Sequence, residues 1–132
     1  MLFRSTFLSP ARYLVTQMTN VSSPSYLYHF SFVTESQRGD VPGVAHGGEI
    51  AYVFGTLPTI IDQVTDRDVE LSKLVSAYWV QFAKTGDPNG GGRLKWPVYS
   101  REQDELLEFG DDISLHRNLL KQIGRASCRE RV

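Results

Sequence analysis

Residues 26–33 constrain the fold more than any other stretch. Tyr26, Tyr28, Phe30 and Phe32 fall on one face of an extended segment, Leu27, His29, Ser31 and Val33 fall on the other, and both sets are largely apolar or aromatic. A strand of that kind needs cover on both sides, which is the situation of an interior strand in an α/β fold. His29 then reads as a hydrogen-bonded core residue rather than a catalyst. Asn20 to Ser25, rich in serine, asparagine and proline, marks the turn ahead of the strand. Before that turn, Pro10 suits a first helical position, and Ala11, Leu14, Val15 and Met18 draw an apolar stripe, so a helix is predicted over 10–19.

The second long element is a helix predicted over 66–85. Leu71, Leu74, Val75, Tyr78 and Phe82 repeat at helical spacing, with Trp79 broadening the face. Thr65 is a fitting N-cap, Asp66 and Asp68 lie near the positive end, and Gly86 with Asp87-Pro88 supplies the stop. Asn89 to Gly92 is a loop without the lysine signature of a phosphate-binding one. Trp96-Pro97-Val98-Tyr99 reads as structural, residues 105–109 as a short edge strand, and Asp111-Asp112 as either a solvated turn or a metal pair, to which no metal is assigned. The fold class that follows is α/β, with an incomplete sheet and flanking helices.

One such strand with two helices leaves apolar faces and strand edges uncovered, which disfavours a free-standing small binding module. The 132 residues hold no run of 18 apolar residues, so no membrane span is predicted. Residues 123–132, containing the single cysteine, Cys128, do not match the rest in character. They resemble the translation of a sequencing-library adapter and are set apart as a tail that is not native. Without them Lys+Arg falls from 14 to 11 and Asp+Glu from 15 to 14, so the net charge moves from −1 to −3. A mildly acidic chain without a basic patch gives no support for nucleic-acid binding. No cofactor is implied, and nothing in the sequence decides a compartment.

Chemistry centres on His46. Residues 34–48 are polar and small without periodicity, so His46 lies in a loop beyond the C-terminal end of the strand, where catalytic groups of open α/β sheets gather. Gly43, Gly47 and Gly48 let the backbone turn tightly around it. Imidazole is the one side chain whose ordinary pKa lies near neutrality, which suits general acid/base work.

The stretch from Pro42 to Gly55, with Ala45-His46-Gly47-Gly48-Glu49 ahead of Ile50-Ala51-Tyr52-Val53-Phe54, resembles the segment that carries the catalytic histidine of type-B carboxylesterases, the cholinesterase-like α/β-hydrolases. The aromatic strand upstream, Tyr78 to Asn89 and Trp96 to Tyr99 agree with that family in order and spacing. The resemblance covers roughly residues 3–120. It implies a C-terminal portion of an α/β-hydrolase fold over residues 1–122, a small-molecule carboxylic ester as substrate, and His46 as the triad histidine. Gly47 and Glu49 are implied as residues that brace the histidine loop. For Glu49 a plain helix-start role, satisfying free N–H groups, stands beside this one; three residues is very close for the triad acid itself.

In this fold the triad runs serine, acid, histidine along the chain, with the serine in a Gly-x-Ser-x-Gly turn. No such pattern occurs here, so the expectation is a C-terminal fragment whose nucleophile and acid lie on a missing N-terminal part of the same domain, inactive alone. Some lipases and esterases build an oxyanion hole from His-Gly-Gly-Gly, but that loop precedes the nucleophile, and Glu49 stands where its third glycine would be. The triad reading is preferred. A fragment of a non-catalytic, cholinesterase-like recognition or adhesion domain is the alternative function.

Overall fold

A computed structural model describes residues 3–118 as α1 (Phe3–Asn20), β1 (Tyr28–Phe30), α2 (Ile50–Phe54), α3 (Asp66–Thr85), β2 (Glu105–Phe109) and β3 (Ile113–Arg117), with single 3-10 turns at Glu35–Gln37 and Leu57–Thr59. The strands form one sheet in the order β1-β2-β3. The Leu107 N–H donates to the Leu27 carbonyl and the Ser31 N–H to the Phe109 carbonyl, so the pairing advances in the same sense along both segments and is parallel. β2 and β3 are joined by only three residues, Gly110 to Asp112, which permits only an antiparallel hairpin. Residues 123–132, set apart as a tail, lie outside the described residues.

The chain divides into two compact units. One takes the chain up to His29, Trp96–Leu107 and the chain from Leu115; the other takes Phe30–Lys95 and Glu108–Ser114. In the first, Val15, Leu27, Tyr99 and Leu106 form a buried cluster with Ala11 packed against it. The Leu27 carbonyl also accepts from Trp96 Nε1 at 3.0 Å, and the Tyr26 and Tyr28 rings meet the indole edge-on. Asp104, held at a positive φ of 48°, is buried as the shared partner of Arg12 and the Tyr99 hydroxyl.

The second unit is organised around α3, whose bounds agree with those read from the sequence. Thr65 accepts from the Asp68 N–H while the Asp68 side chain accepts from the Thr65 N–H, a complete capping box, and Gly86 closes the helix at φ 75°. The buried line of the helix is Asp68, Leu71, Ser72, Val75 and Tyr78. Leu74 and Phe82, expected in the buried stripe, are 36% and 46% exposed. The face is rotated because Asp68 and Ser72, although polar, are turned inward to hold Tyr52 of α2. Phe109 is fully buried against Tyr78 and Trp79, with ring centroids 5.6 and 5.7 Å apart.

Three further expectations are corrected. Glu105–Phe109 is the central strand rather than an edge, because Ile113–Arg117 pairs on its other side. The clue was Ile113-Ser114-Leu115-His116-Arg117, an alternating run after a Gly-Asp-Asp turn. β1 is only three residues long, half-buried, and has a single paired neighbour among the described residues, although its two-sided apolar pattern is that of an interior strand. α1 starts at Phe3, seven residues ahead of Pro10, so the proline sits inside the helix, where it cannot donate to the Thr6 carbonyl. Among the described residues, no helix is long and apolar enough to cross a membrane.

Candidate functional site

His46 occupies a tight turn. The Gly48 N–H donates to the Ala45 carbonyl at 3.0 Å, which makes His46 and Gly47 the two central residues. Gly47 has φ +81°, the value that the third residue of a type II turn requires and that a side chain resists. The Ile50 N–H then donates to the Gly47 carbonyl at 3.1 Å and the Val53 N–H to the Glu49 carbonyl at 3.0 Å, so the turn runs directly into α2. His46 is exposed, and Gly47, Gly48 and Glu49 are half-buried. A β-carbon on Gly48 would come within 2.6 Å of Val44 Cγ1 and 3.1 Å of the Ala45 carbonyl oxygen, so that glycine is required by close approach.

The three residues singled out from the sequence, His46, Gly47 and Glu49, thus share one turn and the start of one helix. Glu49 stands at the N-cap of α2 without a capping bond from its side chain, so the helix-start alternative lacks its usual contact. No Gly-x-Ser-x-Gly turn is present to face His46.

Behind the turn lies a buried polar network that the sequence reading passed over. The Tyr52 hydroxyl donates to Asp68 Oδ1 at 2.9 Å, and Asp68 Oδ2 accepts from the Thr65 N–H at 2.9 Å and the Thr65 hydroxyl at 2.7 Å. The Ser72 hydroxyl donates to the Tyr52 carbonyl at 2.8 Å. Asp68 is 0% exposed and Tyr52 3%. Burial pushes the Asp68 carboxyl up, but the hydrogen bonds from Thr65 and Tyr52 outweigh it and hold the group below its ordinary value of 3.8. Burial first, and then the Asp68 carboxylate, push the Tyr52 phenol far up. A depressed folded-state pKa stabilises the protein above the unfolded value, and the contribution disappears as pH falls through the folded one. Asp68→Asn is therefore expected to flatten the fall in melting temperature below about pH 4; a variant whose melting temperature falls as steeply as the wild type would contradict this. The signal in the sequence was Thr65-x-x-Asp68, a capping-box spacing read only for its helix end.

A second constellation sits upstream of the turn. The Arg38 guanidinium pairs with the Asp111 carboxylate, Arg38 Nε donates to the Val33 carbonyl, and Arg67 donates to the Asp111 carbonyl at 2.7 Å. Both guanidinium groups lie over the Phe32 ring, 5.5 and 5.8 Å from its centre. An open cavity of about 290 Å³ borders Arg38, Asp111 and the 39–43 segment, and His46 does not line it.

Comparison with known proteins places the chain in a family. The profile described as "Carboxylesterase family" matches residues 1–125. Carboxylesterase 1C of Rattus norvegicus is 37% identical over 101 residues, covering 74% of this chain and 18% of the rat protein. The medium-chain fatty acyl-CoA hydrolase precursor of Anas platyrhynchos is 37% identical over 90 residues, 66% of this chain and 16% of the duck protein. Among solved structures, one titled PNB esterase superposes with a TM-score of 0.67 at 25% identity, over 78% of this chain and 21% of that one. The chain spans less than a fifth of the length of these curated relatives. Its three-stranded sheet with helices is a partial α/β fold of the esterase kind, and with the family profile matched over nearly its whole length, the chain belongs to the carboxylesterase family.

Proposed function

We propose that residues 1–122 are the C-terminal part of a serine carboxylic-ester hydrolase domain and that His46 is its general acid/base. The observation that carries this reading is the turn itself: an exposed histidine on a glycine-specified corner, followed at once by an anchored helix, in a chain of the carboxylesterase family. In such a mechanism a serine oxygen attacks the acyl carbonyl, histidine takes its proton and later gives it to the leaving alcohol, and backbone N–H groups hold the oxyanion. The serine and the acid belong to the N-terminal part of the same domain, so the 132-residue chain alone is inactive. Gly47 fixes the corner and Glu49 braces it.

The test is the complete gene product, assayed with a p-nitrophenyl ester and labelled with a fluorophosphonate. Turnover together with labelling of a serine inside a Gly-x-Ser-x-Gly turn is the expected result. A complete protein that lacks that serine and takes no label sinks the reading in favour of a recognition domain. In the same background Gly48→Ala is expected to lower kcat about tenfold or more, because its β-carbon must displace Val44 and the turn with it. Unchanged turnover with an unchanged circular dichroism spectrum would show that the corner tolerates the shift.

A further inference from the structure

α2 has only five residues, too few to hold a helical shape in water without outside support, yet it is the regular element onto which the His46 turn opens. Ala51 and Tyr52 are its buried residues, and Tyr52 carries its side-chain hydrogen bond to α3. The Tyr52 ring lies 5.2 Å from Phe30 and 5.8 Å from Phe32, its carbonyl accepts from Ser72, and its hydroxyl donates to Asp68. Asp68 is fully buried and fixed in turn by both Thr65 donors at the start of α3. Tyr52 is therefore gripped at its backbone and at its tip by the same helix, six residues along the chain from His46.

We propose that Tyr52 and Asp68 are positioning residues for His46, a strut that transmits the rigid start of α3 through α2 to the catalytic turn. Neither group touches the reacting atoms. Their effect is to keep the Ala45-to-Gly48 corner at one height and angle, so that the imidazole meets its partners without a search. The inference rests on the reading of His46 as general acid/base. Its own content is that a hydroxyl buried away from the substrate controls turnover rather than stability alone.

The experiment uses the complete enzyme with a p-nitrophenyl ester and compares Tyr52→Phe, Asp68→Asn, Asp68→Leu and His46→Ala. Gly86→Ala serves as a stability control, since it strains the far end of α3 at φ +75° without touching the network. Tyr52→Phe keeps the ring and loses only the hydroxyl; it is expected to lower kcat by about ten- to a hundredfold with KM within about twofold. Asp68→Leu behaves in the same way. Asp68→Asn leaves an amide oxygen for the Tyr52 hydroxyl and loses less activity than either. Gly86→Ala lowers the melting temperature and leaves kcat in place.

Turnover within twofold of wild type in Tyr52→Phe, with a lowered melting temperature, makes the contact purely structural and overturns the proposal. The same holds if Tyr52→Phe and Asp68→Asn both fail to fold, since the contact is then a folding requirement. Near-normal activity in His46→Ala overturns the catalytic reading instead. Loss in His46→Ala with no loss in Tyr52→Phe leaves that reading standing and removes only the strut.

Discussion

Replacing His46 with alanine in the complete enzyme is expected to lower kcat for ester hydrolysis by about 10⁴- to 10⁶-fold, the range that follows loss of a member of a cooperating triad. Without an imidazole the nucleophile keeps its proton at neutral pH, and the departing alkoxide has no donor. The fold should not notice the change. His46 is exposed, and the corner that presents it is held by backbone bonds at Gly48 and Ile50 that alanine leaves intact. Circular dichroism and melting temperature should therefore match the wild type while turnover collapses. Activity within tenfold of wild type would remove His46 from the mechanism.

Phe109→Ala is expected to do the reverse, damaging the fold without touching the proposed chemistry. Phe109 is 0% exposed, packs against both Tyr78 and Trp79, and sits on the central strand, where its carbonyl accepts from Ser31 and Phe32 at 2.9 and 3.1 Å. Truncating a buried phenylalanine removes its transfer free energy and leaves a cavity, together costing about 3–5 kcal/mol. Domains of ordinary stability have about 5–15 kcal/mol in all, so the loss is a large share of the total. Denaturant titration of the variant would measure it. A cost below about 1 kcal/mol would mean that the neighbouring rings close over the gap.

How far the sequence could be read depended on the range of the forces involved. The bounds of α3 were legible because apolar spacing, the Thr65 N-cap and the terminal glycine all act within one helix, whereas its buried face was not, Leu74 and Phe82 being exposed. The His46 corner was legible for the same reason, since Gly47 and Gly48 state the turn locally. β2 was misread as an edge because its central place depends on β1, far upstream, and on β3, whose alternation was overlooked. Pro10 suggested a helix start, a preference that the preceding residues overrode. Asp68 was read as a helix-end charge, and its partner Tyr52 lies 16 residues away, beyond the reach of periodicity. The serine and acid proposed as partners of His46 were beyond reading, because the sequence holds no Gly-x-Ser-x-Gly pattern from which to place them.

Gly47 and Gly55 both take the left-handed conformation, at φ +81° and +68°, and between them lies a segment fixed at each end. Each added residue turns a helix by about 100°. One insertion inside α2 would therefore swing Tyr52 away from Asp68 or swing the His46 corner away from its present bearing, and neither half could be right while the other was. Length, as well as the identity of Gly48 and Tyr52, is what this segment cannot vary. Relatives can be expected to differ in residue number across 35–44 and to agree between Gly47 and Gly55.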